Sequence, residues 1–89
     1  MYGGSIYGNS AHAGGGVYVN GSFHFAGGSI YGSEKGSDSN TITSIYGNAL
    51  WVEFGTASYG GTDGTAYPFP DTPPFGKNTT ISVVNGVLQ

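Results

Sequence analysis

A six-residue phrase is written twice near the start of this chain. Gly3-Gly4-Ser5-Ile6-Tyr7-Gly8 returns unchanged as Gly27-Gly28-Ser29-Ile30-Tyr31-Gly32, 24 positions later, and a degraded third copy reads Tyr59-Gly60-Gly61-Thr62-Asp63. A fixed return of about 20 to 50 residues marks architectures in which each unit buries an apolar face against the next. The duplication therefore predicts an all-β chain wound as a short parallel β-helix of two to three coils. An antiparallel β-meander is the alternative.

Between the two copies the chain alternates apolar and polar residues with period two, in Val17-Tyr18-Val19 and again in Phe23-His24-Phe25. That period places Ile6, Val17, Val19, Phe23 and Phe25 on an inner face and turns Tyr18 and His24 outward. Asn9-Ser10-Ala11-His12-Ala13 reads as a small polar turn, and Asn20-Gly21 as a tight one, since both residues tolerate positive φ. Asn20-Gly21 favours the meander locally. The exact return of the phrase favours the coil, because a meander has no reason to copy its first strand. Met1 aligns with Phe25, which makes it an inner residue.

In the second unit Ile30 repeats Ile6, and Leu50-Trp51-Val52 replaces Val17-Tyr18-Val19. Ile30, Leu50 and Val52 then join the core stack, and Trp51 lies beside Tyr18 outside. About nine extra residues fall in an insertion loop at 33–43, after which Ser44-Ile45-Tyr46-Gly47 repeats part of the phrase. The third unit fails at Asp63, where an isoleucine stood before, because an unpaired carboxylate in a core costs several kcal/mol. The expected division is coils over 1–61 and a C-terminal loop and capping strand over 62–89. That last part holds Pro68, Pro70, Pro73 and Pro74 with Tyr67, Phe69 and Phe75, then a β-rich run at 79–84 that Asn85-Gly86 turns into Val87-Leu88. Glycine spacing and β-branched runs oppose any helix.

Composition narrows the function classes. With 18 glycines in 89 residues a solvated linker is one reading, but seven Tyr, five Phe and one Trp are too many apolar rings for it. Two lysines against five acids leave no basic surface for phosphate, so no nucleic-acid partner is expected. There is no cysteine, hence no disulfide or thiolate chemistry, and no 18-residue apolar run for a membrane span. An export signal would lie outside this sequence.

Gly3-Gly4-Ser5-Ile6-Tyr7-Gly8-Asn9, then Gly14-Gly15-Gly16-Val17-Tyr18-Val19-Asn20-Gly21, then Phe23-His24-Phe25-Ala26-Gly27-Gly28-Ser29-Ile30, resembles repeats of large bacterial surface proteins. In those, GG-(S/T)-I-x-GN alternates with GGGVYV and a short F-x-(F/M) strand. The resemblance implies a right-handed parallel β-helix of the pectate-lyase-like kind and an adhesin-like role, secreted or at the cell surface. More distantly the chain is similar to the GGAI repeats of chlamydial polymorphic membrane proteins, whose companion FxxN motif occurs here only as Phe75-Gly76-Lys77-Asn78.

The chemistry-bearing residues are few. Glu34, Asp38, Glu53, Asp63 and Asp71 are the acids, and Lys35 and Lys77 the bases. Glu34, Lys35 and Asp38 share the insertion loop, where solvation explains them. Glu53 and Asp63 are the one combination that a glycosidase-type carboxylate pair would use. His12 and His24 lack a third ligand at sensible spacing, and Asp38 with Asn40 reads as turn chemistry rather than a calcium loop. No metal, cofactor or catalytic residue is expected. The outward pairs Tyr7/Tyr31 and Tyr18/Trp51 are the candidate binding or assembly surface, since such rings join large contact area to a polar tip. The leading expectation is a non-catalytic structural or adhesive segment that self-associates into a homo-oligomer or filament. The alternative is a carbohydrate-binding or carbohydrate-cleaving module that uses Tyr18, Trp51 and Glu53 on a glycan or host-surface ligand.

Overall fold

The computed structural model describes residues 1–69 and 73–89, with backbone alone described at 44–46; Pro70 and Asp71 and the side chains of Ile45 and Tyr46 lie outside the described residues. The strands are β1 (Tyr2–Ile6), β2 (Ser10–Ala13), β3 (Val17–Phe25), β4 (Gly27–Ile30), β5 (Thr41–Tyr46), β6 (Leu50–Tyr59), β7 (Tyr67–Pro68), β8 (Phe75–Lys77), β9 (Ile81–Val84) and β10 (Val87–Leu88). A single 3-10 turn, Gly36–Asp38, is the one helical element among the described residues, in a chain expected to have none.

The expected β-helix of two to three coils is corrected. The strands form small sheets of mixed direction rather than a closed solenoid. Parallel pairing joins β1 to β4, β2 to β5 and β3 to β6, but the strands of the final third all pair antiparallel: β9 on β4, β10 on β9, and both β7 and β8 on β6. No third parallel layer forms among the described residues. Residues 60–66 turn back instead, and the exposed Asp63 carboxylate accepts the Thr65 N–H at 3.0 Å. The prolines beyond this turn cannot donate to a central ladder, which confines their segment to short edge strands.

Register within the parallel pairs matches the duplication. Ile6 partners Ile30, Val17 partners Leu50, Tyr18 partners Trp51 and Val19 partners Val52. Near the N-terminus an irregularity between Tyr2 and Ser5 pairs Tyr2 with Gly27, so Met1 sits one place off the expected match with Phe25 and bonds through its carbonyl to the Ala26 N–H at 2.7 Å. The inserted residues are divided. The partner offset rises from 24 at Ile6/Ile30 to 31 at Ser10/Thr41 across the loop, then to 33 at Ala13/Tyr46 across an irregularity in β5.

Two segments read as turns are strand. Residues 10–13 form β2, and Asn20-Gly21 lies inside β3, which runs unbroken because β6 pairs with it from Val17 to Phe25. The core gathers Val19, Phe25, Ile30, Leu50, Val52, Phe69, Ile81 and Val83, with Met1, Ile6, Val17 and Phe23 packed against it. Every core-stack residue read from the sequence is therefore in or against the core. Phe69 carries the proline-rich segment into it and meets Tyr59 edge-on at 5.4 Å between ring centroids.

Two side chains tie the long loop at 31–40 to the sheets. Asn40 is fully buried: its Nδ2 donates to the carbonyls of Ile6 (3.0 Å) and Tyr31 (2.7 Å), and its Oδ1 accepts from the backbone N–H and side-chain Nδ2 of Asn9 (2.9 and 3.1 Å). At the surface, the Glu34 carboxylate accepts from the Thr80 hydroxyl and N–H, which hold its pKa below the ordinary 4.5. A carboxyl depressed in the folded state adds stability above its unfolded pKa and loses it as pH falls through the folded value. Urea midpoints of the wild type and Glu34→Gln are therefore expected to differ at pH 7 and to converge progressively below pH 4.5.

Candidate functional site

β6 carries one residue more than its partner. Val19 pairs with Val52 and Asn20 with Phe54, so Glu53 is an unmatched, bulged residue. Such an insertion bends a strand and re-aims side chains, and is common beside functional sites. Here Trp51 and Glu53 share the outward face, and the indole Nε1–H donates to Glu53 Oε2 at 2.8 Å. Beyond the bulge Phe54 is thrown outward and is 66% exposed.

β8 fixes the other side of the indole. Gly76 is the antiparallel partner of Trp51, and a Cβ there would meet the ring at 2.8 Å, so only glycine lets β8 run this close. Tyr18, the parallel partner of Trp51 in β3, is half exposed. Together with His12, Ala13, Glu53 and Pro74, these two rings line an open groove of about 410 Å³. His12 arrives because residues 10–13 are a strand; its Nδ1 lies 3.2 Å from the Thr43 hydroxyl. The sequence signal for that placement was the alternation in Ser10-Ala11-His12-Ala13, which the polar composition masked.

The other outward pair is separate. Tyr7 and Tyr31 have ring centroids 5.7 Å apart and sit just past β1 and β4, in a different sheet from Tyr18 and Trp51; Lys35 Nζ lies 5.3 Å from the Tyr31 ring centre. The four aromatics thus make two patches and not one row.

Among the described residues the carboxylates do not converge. Asp63 lines a different depression with Tyr2, Thr62 and Asn85, and the Thr65 N–H holds its carboxyl below the ordinary 3.8. Glu34 is engaged by Thr80, and Asp71 lies outside the described residues. Glu53 is consequently the only carboxylate among the described residues that line the groove. His24 is held by structure: its Nε2 lies 3.1 Å from the Gly61 carbonyl, which can only accept, so Nε2 carries a proton, and its Nδ1 lies 3.1 Å from the Ser58 hydroxyl. No cluster of three or more metal-ligating side chains occurs among the described residues, and no described helix is long and apolar enough to cross a membrane. Comparison with protein-family models, curated proteins and solved structures finds no match to this chain.

Proposed function

We propose that this chain is a non-catalytic adhesive module of an extracellular or cell-surface protein, and that it holds carbohydrate in the groove beside β6. The observation that carries the reading is Trp51, whose indole is pinned at its N–H by Glu53 and backed by Gly76 within a groove shared with Tyr18. A ring fixed in this way loses little freedom when the apolar face of a pyranose lies along it. The remaining lone pairs of Glu53, the His12 ring and the Tyr18 hydroxyl suit the sugar hydroxyls around that contact.

Among the described residues the groove holds one carboxylate, whereas hydrolysis of a glycosidic bond ordinarily needs two, about 5 to 9.5 Å apart. The extracellular setting is supported by the likeness of residues 1–32 to bacterial surface-protein repeats.

Isothermal titration calorimetry with neutral and acidic oligosaccharides, chosen from a glycan array, tests the proposal. Trp51→Ala is expected to weaken binding about 30-fold, as loss of a central aromatic anchor does, with the far-ultraviolet circular dichroism unchanged. An array on which nothing binds, or binding that Trp51→Ala leaves intact, would overturn it.

A further inference from the structure

We infer that the site beside β6 is extended, taking a glycan chain that runs along the strands rather than a single sugar, and that Phe54 and Asn20 form its second contact beyond Trp51 and Tyr18. The inference rests on the carbohydrate reading above and deepens it. Cross-strand partners point to the same face of a sheet, and the face alternates along each strand. Val19 and Val52 are a buried, inward pair. The outward pairs of β3 and β6 are therefore Tyr18/Trp51, then Asn20/Phe54, then Ser22/Thr56.

The bulge is what puts Phe54 in that row. In an unbroken ladder Glu53 would stand opposite Asn20, and Phe54 would follow opposite Gly21 on the inner face. One unmatched residue instead turns both Glu53 and Phe54 away from the core.

An isolated apolar ring at the surface needs no special account. Here Tyr18 is 50% and Phe54 66% exposed, and both lie on the face that carries Trp51. Three rings thus occupy two successive outward steps, each roughly 7 Å along the strand. A sugar stacked on Trp51 leaves Phe54 to another unit of the same chain.

The polar groups continue in the same direction. The Asn20 amide lies beside Phe54, the Ser22 and Thr56 hydroxyls lie one step beyond, and all three residues are exposed. Such groups both donate and accept, as sugar hydroxyls require. The groove and the strip offer the same mixture of ring and polar neighbour on one continuous face, so one ligand is assigned to both.

Nuclear magnetic resonance titration of the full chain tests this, using the glycan that binds best on the array and its stepwise shortened forms, down to each of its single sugars. Affinity is expected to rise about tenfold or more from the single sugars to the full glycan. Phe54→Ser should weaken the full glycan about fivefold to tenfold and the single sugars by less than about twofold. Its circular dichroism should match the wild type, because the ring is exposed. Trp51→Ala should weaken every member of the series, and the control Val84→Ser, at an exposed site in β9, should weaken none. Single sugars that bind as tightly as the full glycan, or a Phe54→Ser variant that weakens all lengths alike or none, would overturn the inference while leaving a one-sugar groove. A series in which no member binds would overturn the carbohydrate reading itself, and the inference with it.

Discussion

Asn40→Ala is expected to lower the unfolding free energy by about 2 to 4 kcal/mol, a large share of the roughly 5 to 15 kcal/mol that holds a domain of this size. The side chain is wholly buried and bonds to three other residues, spanning the first unit at Ile6 and Asn9 and the second at Tyr31. Truncation takes the donor from the Tyr31 carbonyl, the acceptor from the Asn9 N–H and one of two donors from the Ile6 carbonyl, which keeps the Tyr31 N–H at 2.9 Å; a buried group left unpaired costs about 1 to 3 kcal/mol before relaxation. Asn40→Asp is expected to be no milder, because it puts oxygens where both carbonyls need a donor. Urea unfolding monitored by circular dichroism measures the loss. A change below about 1 kcal/mol would mean that the loop at 31–40 closes without this bond network.

The second large effect is expected at Gly55, which has φ +95° and whose Cβ, if present, would strike the carbonyl oxygen of Gly21 in the neighbouring strand. Gly55→Ala therefore adds a backbone collision to the roughly 1 to 2 kcal/mol of an unfavourable φ. It forces apart the longest parallel pair in the molecule, and about 3 kcal/mol or more should be lost. Gly36 gives the comparison, with φ +59° and nothing within 4 Å of its missing side chain. Gly36→Ala should cost only the conformational part and lower the melting temperature by about 4 to 8 °C per kcal/mol. Thermal melts of the two variants separate the contributions. Equal shifts would show that the close approach of β3 and β6 has slack.

The duplicated phrase was enough to read the pairing of Ile6 with Ile30 and, by extension, of Val17 with Leu50 and Tyr18 with Trp51, because parallel partners at a fixed offset are what such a repeat encodes. It was not enough to read how the sheets end. Antiparallel returns by β7, β8 and β9 depend on where the proline-rich segment can lay a short strand, and no repeat announces that.

The dipeptide Asn-Gly shows the limit of local reading. Asn85-Gly86 takes positive φ at both residues, 51° and 77°, and closes the hairpin of β9 and β10 as its sequence suggests. Asn20-Gly21 stays in the strand, with Gly21 at φ +146°, because one continuous partner grips both of its flanks. A turn signal needs freedom on at least one side to act.

The candidate site was legible as a set of rings but not as a groove. Tyr18, Trp51 and Glu53 were visible in sequence; His12 and Pro74 join them only through sheet pairing and the path of the final third. Asn40 carried no signal beyond its polar loop, since its burial results from the way the loop folds back between the two units.

The unmatched position at 53 has an evolutionary corollary. From Val17/Leu50 to Val19/Val52 the strands β3 and β6 keep step, and from Phe54 onward they are one place out of phase, so which side chains look outward is decided by a count of residues. Loss of that single codon would bring Phe54 directly after Val52 and remove the carboxylate that steadies the indole, leaving the composition and interior almost as they are. In a scaffold of this kind, a change of recognition needs no new chemistry in the gene, only a slip in its length.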